Sequence, residues 1–284
     1  MWGAYWIPLR VLDASGFSGV LATGVIHIIP ALILLPLMLI RRSSFRRGGI
    51  ALQSTGAAMA LAILLYSTAF LYTDVVRAVL LYYLTPIWGT LFARLWLAEK
   101  ISFDRIFGIV LGMAGMLIIF NIDQGLPAPK NPGDWMALGS GVIWALAATL
   151  TRRFPSQHAV DLVSTWIIWV GGLAILAMFV LPGTASIPTA EAYRSVLPWL
   201  VPLSLLVVLP VYLAITWGLS QLNPGTSGLL FMTEISVGTL TAAWLTSEII
   251  GSREITGIIL ISLAGLSEVL LPVLRNAMRW TKAS

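Results

Sequence analysis

Apolar residues gather along the chain in blocks of about 20, the length a helix needs to cross the hydrocarbon core of a bilayer. Short clusters of Arg, Lys, Asp, Gly and Pro part the blocks. This pattern predicts ten helices: Trp2 to Leu9, Phe17 to Ile40, Ile50 to Leu71, Val76 to Leu97, Ser102 to Phe120, Trp135 to Leu150, Leu162 to Leu181, Val196 to Leu219, Thr226 to Thr246 and Thr256 to Leu274. The short alternating segments of a membrane β-barrel do not occur. The fold class expected is therefore an all-α integral membrane protein with ten transmembrane helices.

Composition sharpens that expectation. The 284 residues are 58% hydrophobic and 10% charged, with a mean hydropathy of +0.91, outside the usual range of a soluble domain. Cysteine is absent, which excludes disulfides, thiol catalysis and Cys-ligated metals. A net charge of +5 would suit nucleic acid, but most basic residues border the apolar blocks, so the partner they indicate is the lipid bilayer. Twelve Lys and Arg (Arg41, Arg42, Arg46, Arg47, Arg94, Lys100, Arg105, Arg152, Arg153, Arg275, Arg279 and Lys282) fall on one side of the alternating topology. Five (Arg10, Arg77, Lys130, Arg194 and Arg253) fall on the other. The imbalance places both termini in the cytoplasm.

The chain also repeats itself. AEKISFDRIFGIVL from Ala98 aligns with SEIIGSREITGIIL from Ser247 at an offset of 149, pairing Glu99 with Glu248, Gly108 with Gly257 and Leu111 with Leu260. Carried backward, that register pairs Tyr82 with Phe231, Thr85 with Glu234 and Gly89 with Gly238. Nearer the start the offset is 142, pairing Trp2 with Trp144 and Arg10 with Arg152, and the difference falls in one loop, RRSSFRRGG against PGTASIPTAEAYR. The units expected are a first repeat over 1–121, a second over 134–274 and a basic cytoplasmic tail over 275–284. Five spans per unit is an odd number, so the second copy must enter the membrane upside down, a transporter signature. Ten residues, Asp134 to Ile143, precede Trp144, whereas one precedes Trp2, so the register predicts a shortened first helix. No small-residue cleavage pattern follows that would mark it as a signal peptide.

These features together resemble the drug/metabolite transporter superfamily, in its EamA-type branch. The residues that carry the resemblance are the two inverted five-helix repeats, Trp2-Gly3, Leu84-x-Pro86, and the doubled Glu-x(8)-Gly spacing at Glu99/Gly108 and Glu248/Gly257. It covers almost the whole chain. The second repeat departs from it with Ile235 where the proline would be. The resemblance implies a bacterial inner-membrane carrier that needs no cofactor and exports amino acids or related metabolites, aromatic amino acids among them. Small organic cations and drugs are the alternative cargo.

Candidate chemistry lies near the middle of the spans. In YYLTP, Pro86 removes an amide hydrogen and orphans the carbonyl of Tyr82, which is costly in hydrocarbon unless something satisfies it. Ala78, Tyr82, Thr85 and Gly89 share a helical face, and their repeat mates Ser227, Phe231, Glu234 and Gly238 form another. Ordinary packing of small and polar residues is the bland account of both faces. Glu234 is the sharpest residue, because a carboxylate at mid-membrane costs at least about 2.5 kcal/mol on insertion scales and normally faces water or a partner. It is a candidate to bind an ammonium group or to carry a coupling proton, against a structural hydrogen bond. His27, with Thr23 and Pro30 on its face, is the second proton-coupling candidate, though a lone membrane histidine is more often a packing residue. Trp6, Trp144, Trp166, Trp169 and Trp217, with Tyr66, Tyr82 and Tyr83, are expected to form an aromatic wall suited to stacking and cation–π contact. The substrate-binding set expected is thus those eight aromatics with Thr85, Pro86, Phe231 and Glu234.

Other motifs add less. The glycines of GIVLGMAG, Gly108 to Gly115, fit close helix packing, either within the chain or in a weak homodimer. GSGVIW at 139–144 lacks the third glycine and preceding strand of a dinucleotide fingerprint. An intramembrane enzyme is the rival class, but no HExxH, paired aspartates or Ser-His pair lies at depth, and His158 falls in a loop.

Overall fold

The computed structural model describes residues 6–17, 19–120, 128–180, 188–246 and 250–283. The described residues form helices α1 (Trp6–Ala14), α2 (Gly19–Ile40), α3 (Arg42–Ala69), α4 (Val75–Tyr82), α5 (Thr85–Trp96), α6 (Phe103–Ile119), α7 (Pro132–Arg153), α8 (Ala159–Val180), α9 (Ala190–Leu203), α10 (Leu209–Gln221), α11 (Pro224–Thr246) and α12 (Ser252–Ala283). Helices α4 and α5 are two halves of one span, and so are α9 and α10, which are joined by a π turn at Ser204–Val208. That leaves the ten spans expected. Among the described residues, five segments suffice by length and composition alone to cross a membrane: Val20–Ile40, Arg42–Ala69, Val75–Trp96, Ala159–Val180 and Ala190–Gln221.

Helix ends follow local chemistry. Asn131 caps α7 by accepting the Asp134 amide at 2.8 Å, with Pro132 as its first residue. Ser102 caps α6 through the Arg105 amide. One expectation is corrected here: RRSSFRRGG is no loop, because α3 already starts at Arg42. Gly49 (φ 50°, ψ −141°) then breaks the helix, separating a basic first stretch from the apolar span. Only glycine takes that backbone geometry without strain.

Repeat mates pack against each other head to tail. A methyl group on Gly115, near the end of α6, would lie 2.7 Å from the Gly257 carbonyl oxygen near the start of α12, while Gly108 at the other end of α6 faces Ala264 and Ser267. In the same way Gly89 of α5 abuts Pro224, and Pro86 abuts Gly228 of α11. Corresponding helices of the two copies therefore run in opposite directions. Gly108, Gly112 and Gly115 are all buried within the chain, so the GxxxG face is spent on intramolecular packing.

Two large apolar cores result. One joins α2, α3, α7, α8 and the α9–α10 span; the other joins α4, α6, α11 and α12. Tyr82 and Phe231 pack against both. These two residues are repeat mates, so each copy places the matching side chain along the seam between the cores.

Candidate functional site

The YYLTP segment is where the fourth span breaks. Helix α4 ends at Tyr82, α5 begins at Thr85, and Tyr83 and Leu84 bridge them. The carbonyl that Pro86 cannot serve does not go unsatisfied, because the Thr85 hydroxyl donates to the Tyr82 oxygen. Helix α7 can lie against this oxygen only because residue 141 is glycine: a Cβ there would sit 2.5 Å from it. Threonine, proline and a glycine from the other repeat thus form one device that holds a broken helix at depth.

Around the break, four expected residues converge. The Tyr66 and Tyr82 rings lie 4.5 Å apart, and those of Tyr82 and Tyr83 5.1 Å apart. The carboxylate of Glu234 from α11 lies within electrostatic reach of Tyr83, Tyr66 and Tyr82. Three phenols of the first repeat therefore lie within electrostatic reach of one carboxylate from the second. Thr85 and Pro86 are buried in the same break.

A second aromatic group continues from Phe231. Its ring lies 5.9 Å from Trp144, which lies 5.7 Å from Trp166, which stacks on Tyr212 at 4.1 Å and 8°. Trp144 is 4% exposed and Trp166 is fully buried, yet neither indole N–H has a hydrogen-bond partner among the described residues. Two unsatisfied donors at this depth are costly, of order 1–3 kcal/mol each, and they can be satisfied by an acceptor brought from outside. His27 closes the row. Its Nε2 and the Tyr212 hydroxyl are 2.8 Å apart and its Nδ1 lies 2.6 Å from the Thr23 carbonyl oxygen. The carbonyl only accepts, so Nδ1 carries the proton and Nε2 accepts from Tyr212. Both ring nitrogens are thereby used in a neutral imidazole.

Two expected residues stand apart. Trp169 is 38% exposed and donates to Gln53 at 2.9 Å, and Trp217 is 65% exposed. The side chain of Trp6 lies outside the described residues.

Tyr212 was not singled out from the sequence. Its repeat mate is Ile63, so symmetry gave no signal; a tyrosine two residues after Pro210 in an apolar span was the available cue.

Ionic clusters flank the aromatic rows at opposite ends. At one, fully buried Asp134 accepts from Thr73 at 2.5 Å, from the Lys130 amide at 2.8 Å and from two Arg77 nitrogens at 2.5 and 3.3 Å. Burial alone would raise the Asp134 carboxyl, which sits just ahead of its span, but the Arg77, Thr73 and Lys130 hydrogen bonds outweigh that and hold it at about 2. At the other end Asp161 of α8 takes a two-point contact from Arg41, at 2.5 and 3.0 Å, and a hydroxyl from Ser44 at 2.5 Å. Arg105 at the start of α6 similarly holds Asn223 and Thr226 beside α11. Each cluster ties the first repeat to the second. One cavity is lined by Ser44, Arg47 and Asp161, and another nearby by Phe154, His158, Leu162 and Trp217. No group of three His, Asp or Glu side chains converges among the described residues.

Comparison with known proteins adds a family and a fold. The family described as "EamA-like transporter family" matches residues 1–121 and 131–267, once for each half of the chain. A solved crystal structure superposes with a TM-score of 0.74 at 19% sequence identity, covering 95% of this chain and 93% of that one, which is a likeness of fold. None of the curated proteins matches.

Proposed function

Because the chain belongs to the EamA-like transporter family and is thus a multi-pass membrane transporter of small molecules, we propose that it exports amphipathic or aromatic amino acids across a bacterial inner membrane. In this reading both termini are cytoplasmic, and repeats over 1–121 and 134–274 rock against each other around the seam at Tyr82 and Phe231. The observation that carries the substrate class is the pairing of opposite chemistries across that seam. Glu234 with its three tyrosines suits an ammonium group. The two partnerless indole N–H groups suit a carboxylate, and the aromatic rings between them suit an apolar or aromatic side chain. An amino-acid zwitterion presents all three. The tyrosines and Glu234 alone would equally serve a small organic cation, the second reading.

Counterflow in proteoliposomes separates the two. An aromatic amino acid is expected to exchange with saturable kinetics and to outcompete the amine lacking its carboxylate. Changing both Trp144 and Trp166 to Phe should raise the KM of the amino acid about thirtyfold, for two hydrogen bonds of roughly 1 kcal/mol each, and leave the amine unaffected. Equal transport of acid and amine would select the cation reading. Product formation without exchange would indicate an enzyme.

A further inference from the structure

The corner beneath Gly49 holds chemistry that neither the seam nor the ion pairs use. A cavity of about 440 Å³ lies there, between Ser44, Arg47 and Leu52 on one side and Gln157, His158 and Asp161 on the other. We infer that it binds a phosphate-bearing anion, and that in the membrane the occupant is the headgroup of an anionic phospholipid of the glycerol type.

Charge supports this first. Asp161 is already neutralised by Arg41 and Ser44, whereas Arg47 has no ion-pair partner among the described residues. Through Arg47 the cavity presents unspent positive charge, and its acid, Asp161, is already paired. Arg42, Arg46, Arg152 and Arg153 lie on the same face of the topology. Basic pockets between membrane helices at such a face select anionic headgroups.

Hydrogen bonding narrows the class. Both carboxamide atoms of Gln157 are shielded from solvent, yet neither has a partner among the described residues. A buried amide left this way is costly unless a ligand satisfies it. Its NH2 donates and its oxygen accepts, so the matching ligand carries acceptor oxygens and a hydroxyl together, as a phosphate esterified to glycerol does. Leu52 and Phe154 give the cavity an apolar flank, which suits the glycerol backbone and the chains that follow it. The volume far exceeds the share of one water, about 30 Å³. Gly49 shapes the pocket, because the basic stretch of α3 folds over the corner only where the chain breaks.

The test uses the full chain in detergent, incubated with phosphatidylglycerol or phosphatidylcholine and read by native mass spectrometry. Wild type is expected to retain phosphatidylglycerol at least about fivefold better, the effect of one basic side chain at a membrane surface. Arg47→Gln should erase that preference and Arg47→Lys restore most of it. Gln157→Leu should weaken retention without lowering the melting temperature. Equal retention of the two lipids, or a preference that survives Arg47→Gln, overturns the lipid assignment. Inorganic phosphate identifies the source: if it raises the melting temperature of wild type but not of Arg47→Gln while no lipid is retained, the anion site stands and its ligand is soluble. If neither lipid nor phosphate responds to Arg47, the site is overturned.

Discussion

Glu234 draws its meaning from the side chains around it. A carboxylate at this depth requires compensation, and Tyr66, Tyr82 and Tyr83 all lie within its electrostatic reach. Glu234→Gln keeps size and some hydrogen bonding but removes the charge. It should cut flux at least about tenfold, for a charge-assisted contact worth roughly 1.5–3 kcal/mol, with little change in melting temperature; unaltered uptake would remove Glu234 from the site. Asp134 is a carboxylate whose lone pairs are consumed by protein donors. Its carboxyl is held at about 2, below the ordinary 3.8. Protonation in the unfolded chain therefore precedes protonation in the folded one, and the stabilisation is complete above about pH 4 and lost as pH falls toward 2. Asp134→Asn should thus melt lower than wild type by a constant margin at neutral pH. That margin should shrink below pH 4; a margin independent of pH down to 2 would refute the assignment.

Among the elements, the α4–α5 break has the most direct bearing on turnover. Pro86 at the start of α5 forbids a continuous helix, and Gly141 lets α7 approach the freed carbonyl. Pro86→Ala allows the helix to close and should slow turnover more than it weakens binding, seen as a fall in kcat with KM changed by less than about twofold. Gly141→Ala should instead push α7 away from Tyr82 and destabilise the protein by about 1–3 kcal/mol, as overpacking does. A normal melting temperature would show that α7 can move aside freely. The break was legible in the sequence because proline has one unambiguous effect on a helix. The satisfaction of Tyr82 by Thr85 was not, since it depends on a rotamer. Helical RRSSFRRGG was missed for a related reason: four arginines read as a loop between apolar blocks, although arginine is a good helix former and Gly49 alone makes the turn.

At the scale of the whole molecule, the duplication was the strongest signal in the sequence, and the antiparallel packing of α6 on α12 and of α5 on α11 gives it physical form. Period and offset survive divergence, so the architecture could be read without coordinates. Which aromatics meet was legible only in part. Trp144, Trp166 and Trp169 all occupy apolar helices, and only packing distinguishes the buried pair from the one that turns outward to Gln53. If the site couples to protons, a pH gradient imposed across proteoliposomes should drive accumulation by wild type and not by Glu234→Gln. Equilibration without accumulation would mark a facilitator.

The glycine face of α6 has a consequence for biogenesis. Its partner α12 is translated long after α6, so through much of insertion the nascent chain carries a groove of glycines waiting for a segment not yet translated. A transcript cut short before Ser252 should yield a protein that cellular quality control removes, and α12 supplied in trans as a separate peptide should rescue it.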